Sequence, residues 1–198
     1  MSSSICGTSR IVGFRFSLYP MSDQFIDVIK SVLEETDTTK VWMQTDDIST
    51  CIRGRMEHVF DVAKAVYLHA AKTELHVVLN GTFSIGCPGD SAGDTYMSED
   101  DERNNEERLS DLHIGAPTQF ALYPMNEENY MSLIADVVEI AKEKGTFSGG
   151  VHYASRLDGD AHDVFATLEE AFRSTQEKVS HVTMTVNISA NSPSRKNR

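Results

Sequence analysis

Residues Ile11 to Tyr19 alternate, with Phe14, Phe16 and Leu18 on one side and Arg15, Ser17 and Tyr19 on the other, and this two-residue period predicts a strand that Pro20 ends. Phe25, Ile26, Val28, Ile29, Val32 and Leu33 then recur at three- and four-residue spacing, the stripe of a helix lying on a sheet, with Ser22 as its expected N-cap. Val41 to Thr45 and Ile48 to Arg53 read as short strands around a turn at Asp46-Asp47. Val59, Phe60, Val62, Ala63, Val66, Tyr67 and Ala70 form a second helical stripe, and Leu75 to Ile85 alternates again. The succession is βαββαβ.

That succession occurs twice. Phe16-Ser17-Leu18-Tyr19-Pro20-Met21 returns as Phe120-Ala121-Leu122-Tyr123-Pro124-Met125, an offset of 104 that becomes 105 after one extra residue near Asn126 to Asn129. Gly54 then matches Gly159, Val59-Phe60 matches Val164-Phe165, His76-Val77 matches His181-Val182, and Ser84 and Pro88 match Ser189 and Pro193. The second copy runs through Thr118 to Tyr123, Glu128 to Lys144, a glycine-broken hairpin from Phe147 to Leu157, Ala161 to Lys178 and Val179 to Ser189. The expected fold class is α+β: two tandem ferredoxin-like βαββαβ repeats, each a four-stranded antiparallel sheet with its helices on one face and strands one and three side by side in its centre. The boundaries are 8–89 for repeat 1, 90–116 for an acidic linker and 117–193 for repeat 2.

Charge sharpens the linker. The chain of 198 residues carries a formal charge of -12, and between Asp90 and Asp111 nine carboxylates face only Arg103 and Arg108. A segment so charged and without a sustained apolar face reads as a solvated connector. The acidity would repel a phosphate backbone, which argues against nucleic acid as a partner. No apolar run approaches the roughly 18 residues that cross a bilayer, and MSSSICGTSR has no signal-peptide core, so a cytoplasmic protein is expected. Cys6, Cys51 and Cys87 are too widely spaced for a redox pair or a zinc cage and read as reduced thiols.

Candidate chemistry is sparse. In the last strand of each copy, one side is apolar and the other carries His76, Asn80, Thr82 and Ser84, or His181, Thr183, Thr185, Asn187 and Ser189. This polar face suits sheet-to-sheet packing between copies or subunits, or a polar small-molecule surface. In the third strand Ile48, Thr50 and Ile52 share the apolar side with a hydroxyl among them, and Tyr153, Ser155 and Leu157 repeat the arrangement. A buried hydroxyl without a partner costs about 1 to 3 kcal/mol, so a backbone carbonyl or a bound ligand must answer it. The ligand alternative places a pocket between helices and sheet in each copy, with Leu18 or Leu122 contributing main-chain groups, Ser17 beside the first and His152 flanking the second. Phe16, Tyr19, Phe120, Tyr123 and Trp42 are the rings that could stack on a planar guest.

The run Asp158-Gly-Asp160-Ala-His162-Asp163 has oxygen-rich character, but helix N-capping accounts for Asp160 and Asp163, and no metal site is assigned. Gly81-Thr-Phe-Ser84-Ile-Gly86 is one residue too long for a nucleophile elbow, and no phosphate loop or GxGxxG is present. No nucleophile, base and orienter come together, which favours a binder over an enzyme and implies no cofactor.

ICGTSRIVGFRFSLYPM, NGTFSIGCPGDSAGDTY, APTQFALYPMN, GVHYAS with LDGDAHDVF, and TMTVNISANSPSRKNR together resemble the YkoF family of bacilli over essentially the whole chain. The resemblance implies a homodimer of tandem ferredoxin-like domains, each able to take thiamine or hydroxymethylpyrimidine (HMP) by its pyrimidine end. It also implies a role in precursor salvage or uptake, with a functional link to a membrane transporter. On this view Thr50 and Ser155 supply side-chain contacts and Leu18 and Leu122 main-chain ones, at two non-equivalent sites. An enzyme acting on thiamine-related pyrimidines, a sensor domain of the amino-acid-binding type and a ligand-free structural adaptor are the alternatives.

Overall fold

The computed structural model describes residues 11–86 and 98–194. Cys6, Cys87, Pro88, Asp90, Asp94 and the outer ends of the expected first repeat (8–10 and 87–89) lie outside the described residues. Repeat one comprises β1 (Val12–Pro20), α1 (Phe25–Glu35), β2 (Trp42–Thr45), β3 (Thr50–Gly54), α2 (Met56–Ala71) and β4 (Val77–Ile85). After a single turn of helix, α3 (Glu106–Leu109), repeat two follows as β5 (Thr118–Pro124), α4 (Tyr130–Glu143), β6 (Phe147–Val151), β7 (Ala154–Leu157), α5 (Ala161–Gln176) and β8 (Val182–Ala190). The extra residue of the second copy falls in the turn before α4, where Asn126 takes a left-handed φ of 60°.

Each repeat is the expected antiparallel sheet, β2-β3-β1-β4 and β6-β7-β5-β8, with strands one and three adjacent in its centre. The two sheets do not stack face to face. They join edge to edge through nine register pairs of β4 and β8, giving one eight-stranded sheet of order β2-β3-β1-β4-β8-β5-β7-β6. Pairing the two free edges satisfies both rows of backbone groups at once. The polar positions of the last strands consequently lie side by side on the helix-free face at this seam: Asn80 opposes Asn187, Thr82 opposes Thr185 and Ser84 opposes Thr183.

On the other face the apolar sides of all central strands meet the helices. Phe16, Phe14, Phe83 and Phe60 form a stacked column with successive ring centroids 5.1, 3.9 and 4.3 Å apart. Phe60 continues to Phe172 of α5, and Tyr67 of α2 meets Phe165 of α5, so the repeats share one core. Strand β4 passes the column at Gly81, where a Cβ would lie 2.4 Å from the Phe14 ring.

The acidic connector is largely exposed or half-buried over its described part, as a solvated segment should be, but it is anchored to the repeats at particular residues. Asn105 is buried, and its backbone N–H and Nδ2 both donate to Asp61 Oδ2, at 3.1 and 2.8 Å. Lys64 Nζ donates to Glu106 at 2.6 Å, Arg103 holds Glu169 through two contacts of 2.8 and 3.0 Å, and Leu109 joins the core. With the sheet, α1 and α5 around it, this cover leaves α2 almost completely buried, including His58, whose Nε2 lies 2.8 Å from the Asp100 carbonyl, and His69, which sits against Glu35 of α1. The connector is held by polar pairing, which leaves no apolar period to read. Burial pushes the Asp61 carboxyl above its ordinary value, with the Asn105 donors working against that rise. A smaller correction concerns Ser22: α1 is capped at Gln24, and the Ser22 hydroxyl instead accepts from the Gln24 N–H in the preceding turn.

Candidate functional site

The pairing between strands one and three ends at the same place in both repeats. β1 pairs with β3 only from Val12 to Phe16, the last pair being Phe16 with Thr50. β5 pairs with β7 only from Thr118 to Phe120, the last pair being Phe120 with Ser155. The four residues beyond, Ser17–Pro20 in one copy and Ala121–Pro124 in the other, therefore overhang their neighbour strand while remaining paired on the opposite side to β4 or β8. Successive residues of a strand turn their N–H and C=O to alternate edges, so an overhang of four presents both donors and acceptors along its open edge.

A cavity sits at each overhang, between the sheet and the first helix of the repeat. The first, about 300 Å³, is lined by Leu18 and Thr50 together with Phe25 and Ile29 of α1 and the Asp46–Ser49 turn. The second, about 420 Å³, is lined by Leu122 and Ser155 with Tyr130 and Ile134 of α4 and the exposed Tyr153. The structure thus brings Leu18, Ser17 and Thr50 to one cavity wall and Leu122 and Ser155 to the other. Thr50 Oγ1 lies 2.9 Å from Thr45 Oγ1, a partner that can still donate or accept toward the cavity. No such partner is found for the Ser155 hydroxyl among the described residues. Ser17 turns its side chain away, donating to the Ile48 carbonyl at 3.1 Å.

Two expectations change. His152 does not line the second cavity: it is exposed in the two-residue turn between Val151 and Ala154, with its ring against Tyr153. Ile48 and Tyr153 are not on a buried strand face either, being 80% and 98% exposed. Both stand in hairpin turns at the cavity mouths, because β3 and β7 begin only at Thr50 and Ala154.

The mouths differ chemically. In repeat one the four-residue turn brings Asp46 and Asp47 to the rim. The Ile48 and Ser49 N–H groups donate to Asp46 Oδ1 at 2.9 and 2.8 Å, and these bonds, with Arg15 nearby, hold its carboxyl below the usual range. In repeat two the turn is two residues long and the rim is Tyr123, Tyr130, Tyr153 and Met125, with no charged residue lining it. A third cavity, about 620 Å³, lies where the helix-free face meets the connector and includes His113, Gln119, Arg156 and Asn187. Its Arg156 is engaged bidentately by Asp158 at 2.7 and 2.8 Å.

The duplicated geometry has its counterpart in known sequences. The YKOF-related Family matches residues 11–90 and again 115–195. The chain belongs to the YkoF family. Its similarity extends to the protein named "Putative HMP/thiamine-binding protein YkoF" of Bacillus subtilis (strain 168), 68% identical over 194 residues that cover 98% of this chain and 97% of that one. Each YkoF-family match contains one overhang, one strand-three hydroxyl and one cavity between the sheet and its first helix. Among the described residues, no helix is long and apolar enough to cross a membrane.

Proposed function

We propose that this YkoF-family chain binds thiamine and HMP through the aminopyrimidine ring, one molecule in each repeat. The observation that carries the reading is the recurrence of overhang, hydroxyl and cavity at repeat-related positions, Leu18 with Thr50 and Leu122 with Ser155. An aminopyrimidine needs an acceptor for its exocyclic amine and a donor for a ring nitrogen. The open edge of the overhanging strand offers both, and the Thr50 or Ser155 hydroxyl adds a group that can serve as either. Tyr19 and Phe25 stand at one cavity and Tyr123 and Tyr130 at the other, and ring stacking contributes about 0.5 to 1.5 kcal/mol beyond area burial.

The sites are unequal. Asp46 and Asp47 at the first mouth favour the thiazolium cation of thiamine by charge, whereas the second mouth has no carboxylate and offers aromatic faces to planar rings and, more weakly, to a cation. The name of the Bacillus subtilis relative supports the ligand class. The reading includes a homodimer formed over the helix-free sheet face, and a part in salvage or uptake of thiamine precursors in concert with a membrane transporter. Calorimetry with thiamine and with HMP tests it: two unequal binding heats per chain support the reading, silence supports a structural adaptor, and loss of ligand from the cell supports an enzyme.

A further inference from the structure

Away from both cavities, three metal-ligating side chains converge where the connector meets the start of α5. A ring nitrogen of His113, a carboxylate oxygen of Asp160 and a ring nitrogen of His162 all lie within 4.8 Å of one another. The backbone holds them there. Ala161 N–H donates to Ile114 O at 2.8 Å, Ala116 N–H donates to Gly159 O at 2.9 Å, and Gly115 bridges Asp160. Asp160 divides its two oxygens: Oδ1 caps α5 by accepting the His162 N–H at 2.9 Å, while Oδ2 lies 3.3 Å from His113 Nδ1. Capping, the role expected of Asp160, therefore uses only half of this carboxylate.

A second observation concerns His162 itself. Its Nε2 is buried and has no hydrogen-bonding partner, a state that costs about 1 to 3 kcal/mol unless something answers it. The surroundings do not forbid a cation. Lys64 and Arg103, which share a small cavity with His162, are already paired with Glu106 and Glu169. The positive end of the α5 dipole is opposed by Asp160 at its cap and Asp163 in its first turn. The repeat-related positions of Asp160 and His162 are Arg55 and Glu57, so the cluster belongs to repeat two and the connector alone.

We propose that His113, Asp160 and His162 form a binding site for a divalent transition-metal ion of the zinc type. Two imidazoles and one carboxylate are a donor set that suits zinc or cobalt and disfavours the hard ions magnesium and calcium. Tetrahedral zinc separates neighbouring ligand atoms by roughly 3.3 Å, which the His113–Asp160 pair already matches. His113, with 72% of its side chain exposed, has room to swing in toward His162 and leaves a fourth position for water. The bound ion clips the connector to α5 beside the junction of the repeats. The proposal does not rest on the thiamine reading.

The test is a titration of the full-length, EDTA-stripped protein with cobalt followed by visible absorption, then zinc displacement followed by calorimetry. The wild type takes up one cobalt per chain with the bands of a low-symmetry four- or five-coordinate ion, and zinc displaces it. His113→Gln and Asp160→Asn, the latter keeping an N-cap acceptor, each weaken uptake about ten-fold or more. Zinc raises the thermal midpoint of the wild type and not of the variants, whose metal-free midpoints stay near that of the wild type. The proposal is overturned if the wild type takes up no cobalt at millimolar concentration, or if both variants bind it as tightly as the wild type.

Discussion

Replacing Gly81 by alanine tests the aromatic packing at the centre of repeat one. A Cβ there would lie 2.4 and 2.6 Å from the Phe14 ring and 2.9 Å from the Arg15 carbonyl oxygen, against ordinary contacts near 3.4 to 4 Å. The ring has nowhere to go, because Phe16 stacks on one side of it and Phe83, backed by Phe60, on the other. The carbonyl belongs to the adjacent strand, so relief there means prising β1 from β4. Overpacking of this kind costs about 1 to 3 kcal/mol or more, less the roughly 0.5 to 1 that alanine gains over glycine in a strand. The expected net loss is about 1 to 2 kcal/mol, or about 2 to 8 °C in thermal midpoint for a chain of this size. Gly13→Ala is the control: it sits on β1 with nearest contacts at 3.9 Å or more, and should be neutral or slightly stabilising. Urea and thermal melts followed by circular dichroism read both variants. Midpoints for the two that agree within about 1 °C would refute the rigid aromatic column.

Two further outcomes follow from the charges. Glu169 accepts from both Arg103 and Arg173, and Arg173 also reaches Glu57 at 3.1 Å, so Glu169→Gln removes the carboxylate at the centre of the tie between connector, α5 and α2. It should lower stability by about 2 kcal/mol in urea unfolding, below the 3 to 5 of a fully buried pair because the arginines are partly exposed. Asp46 is held below its ordinary pKa chiefly by the Ile48 N–H bond, so the ordering it gives the first cavity's rim is present above about pH 4 and is lost as pH falls through the depressed value. Calorimetry across the acid range should show the first site weakening relative to the second; a constant ratio would contradict the assignment of that rim.

Much of the architecture is legible in the chain because each element announces its period twice. Ile11 to Tyr19 and Leu75 to Ile85 show the strand period, Phe25 to Leu33 the helical one, and the repeat at offset 104 then 105 supplies an independent copy of each. The edge-to-edge joining of β4 to β8 is not legible, since alternation identifies a strand's two faces but not its neighbour. The burial of His58 and Asp61 escapes for a related reason: the connector meets them through Asp100 and Asn105, polar groups that leave no hydrophobic signature. At the candidate site the hydroxyls of Thr50 and Ser155 stand out because each interrupts an apolar register. The overhangs of β1 and β5 depend on where β3 and β7 begin, and a one-residue uncertainty in a short strand start hides them. The same uncertainty hides that His152 lies in the turn beside Tyr153 at the mouth of the second cavity and not on its wall.

In the proposed binding mode each repeat offers one strand edge and one hydroxyl to a pyrimidine. Thiamine calorimetry on the wild type, Thr50→Val, Ser155→Ala and the double variant, all with matched melting curves, measures this most directly. The wild type should give two heats, each single variant should weaken one of them by about five- to ten-fold, corresponding to a net hydrogen bond of roughly 1 to 1.5 kcal/mol, and the double variant should weaken both. Undiminished binding by the double variant, or one variant weakening both heats equally, would contradict it.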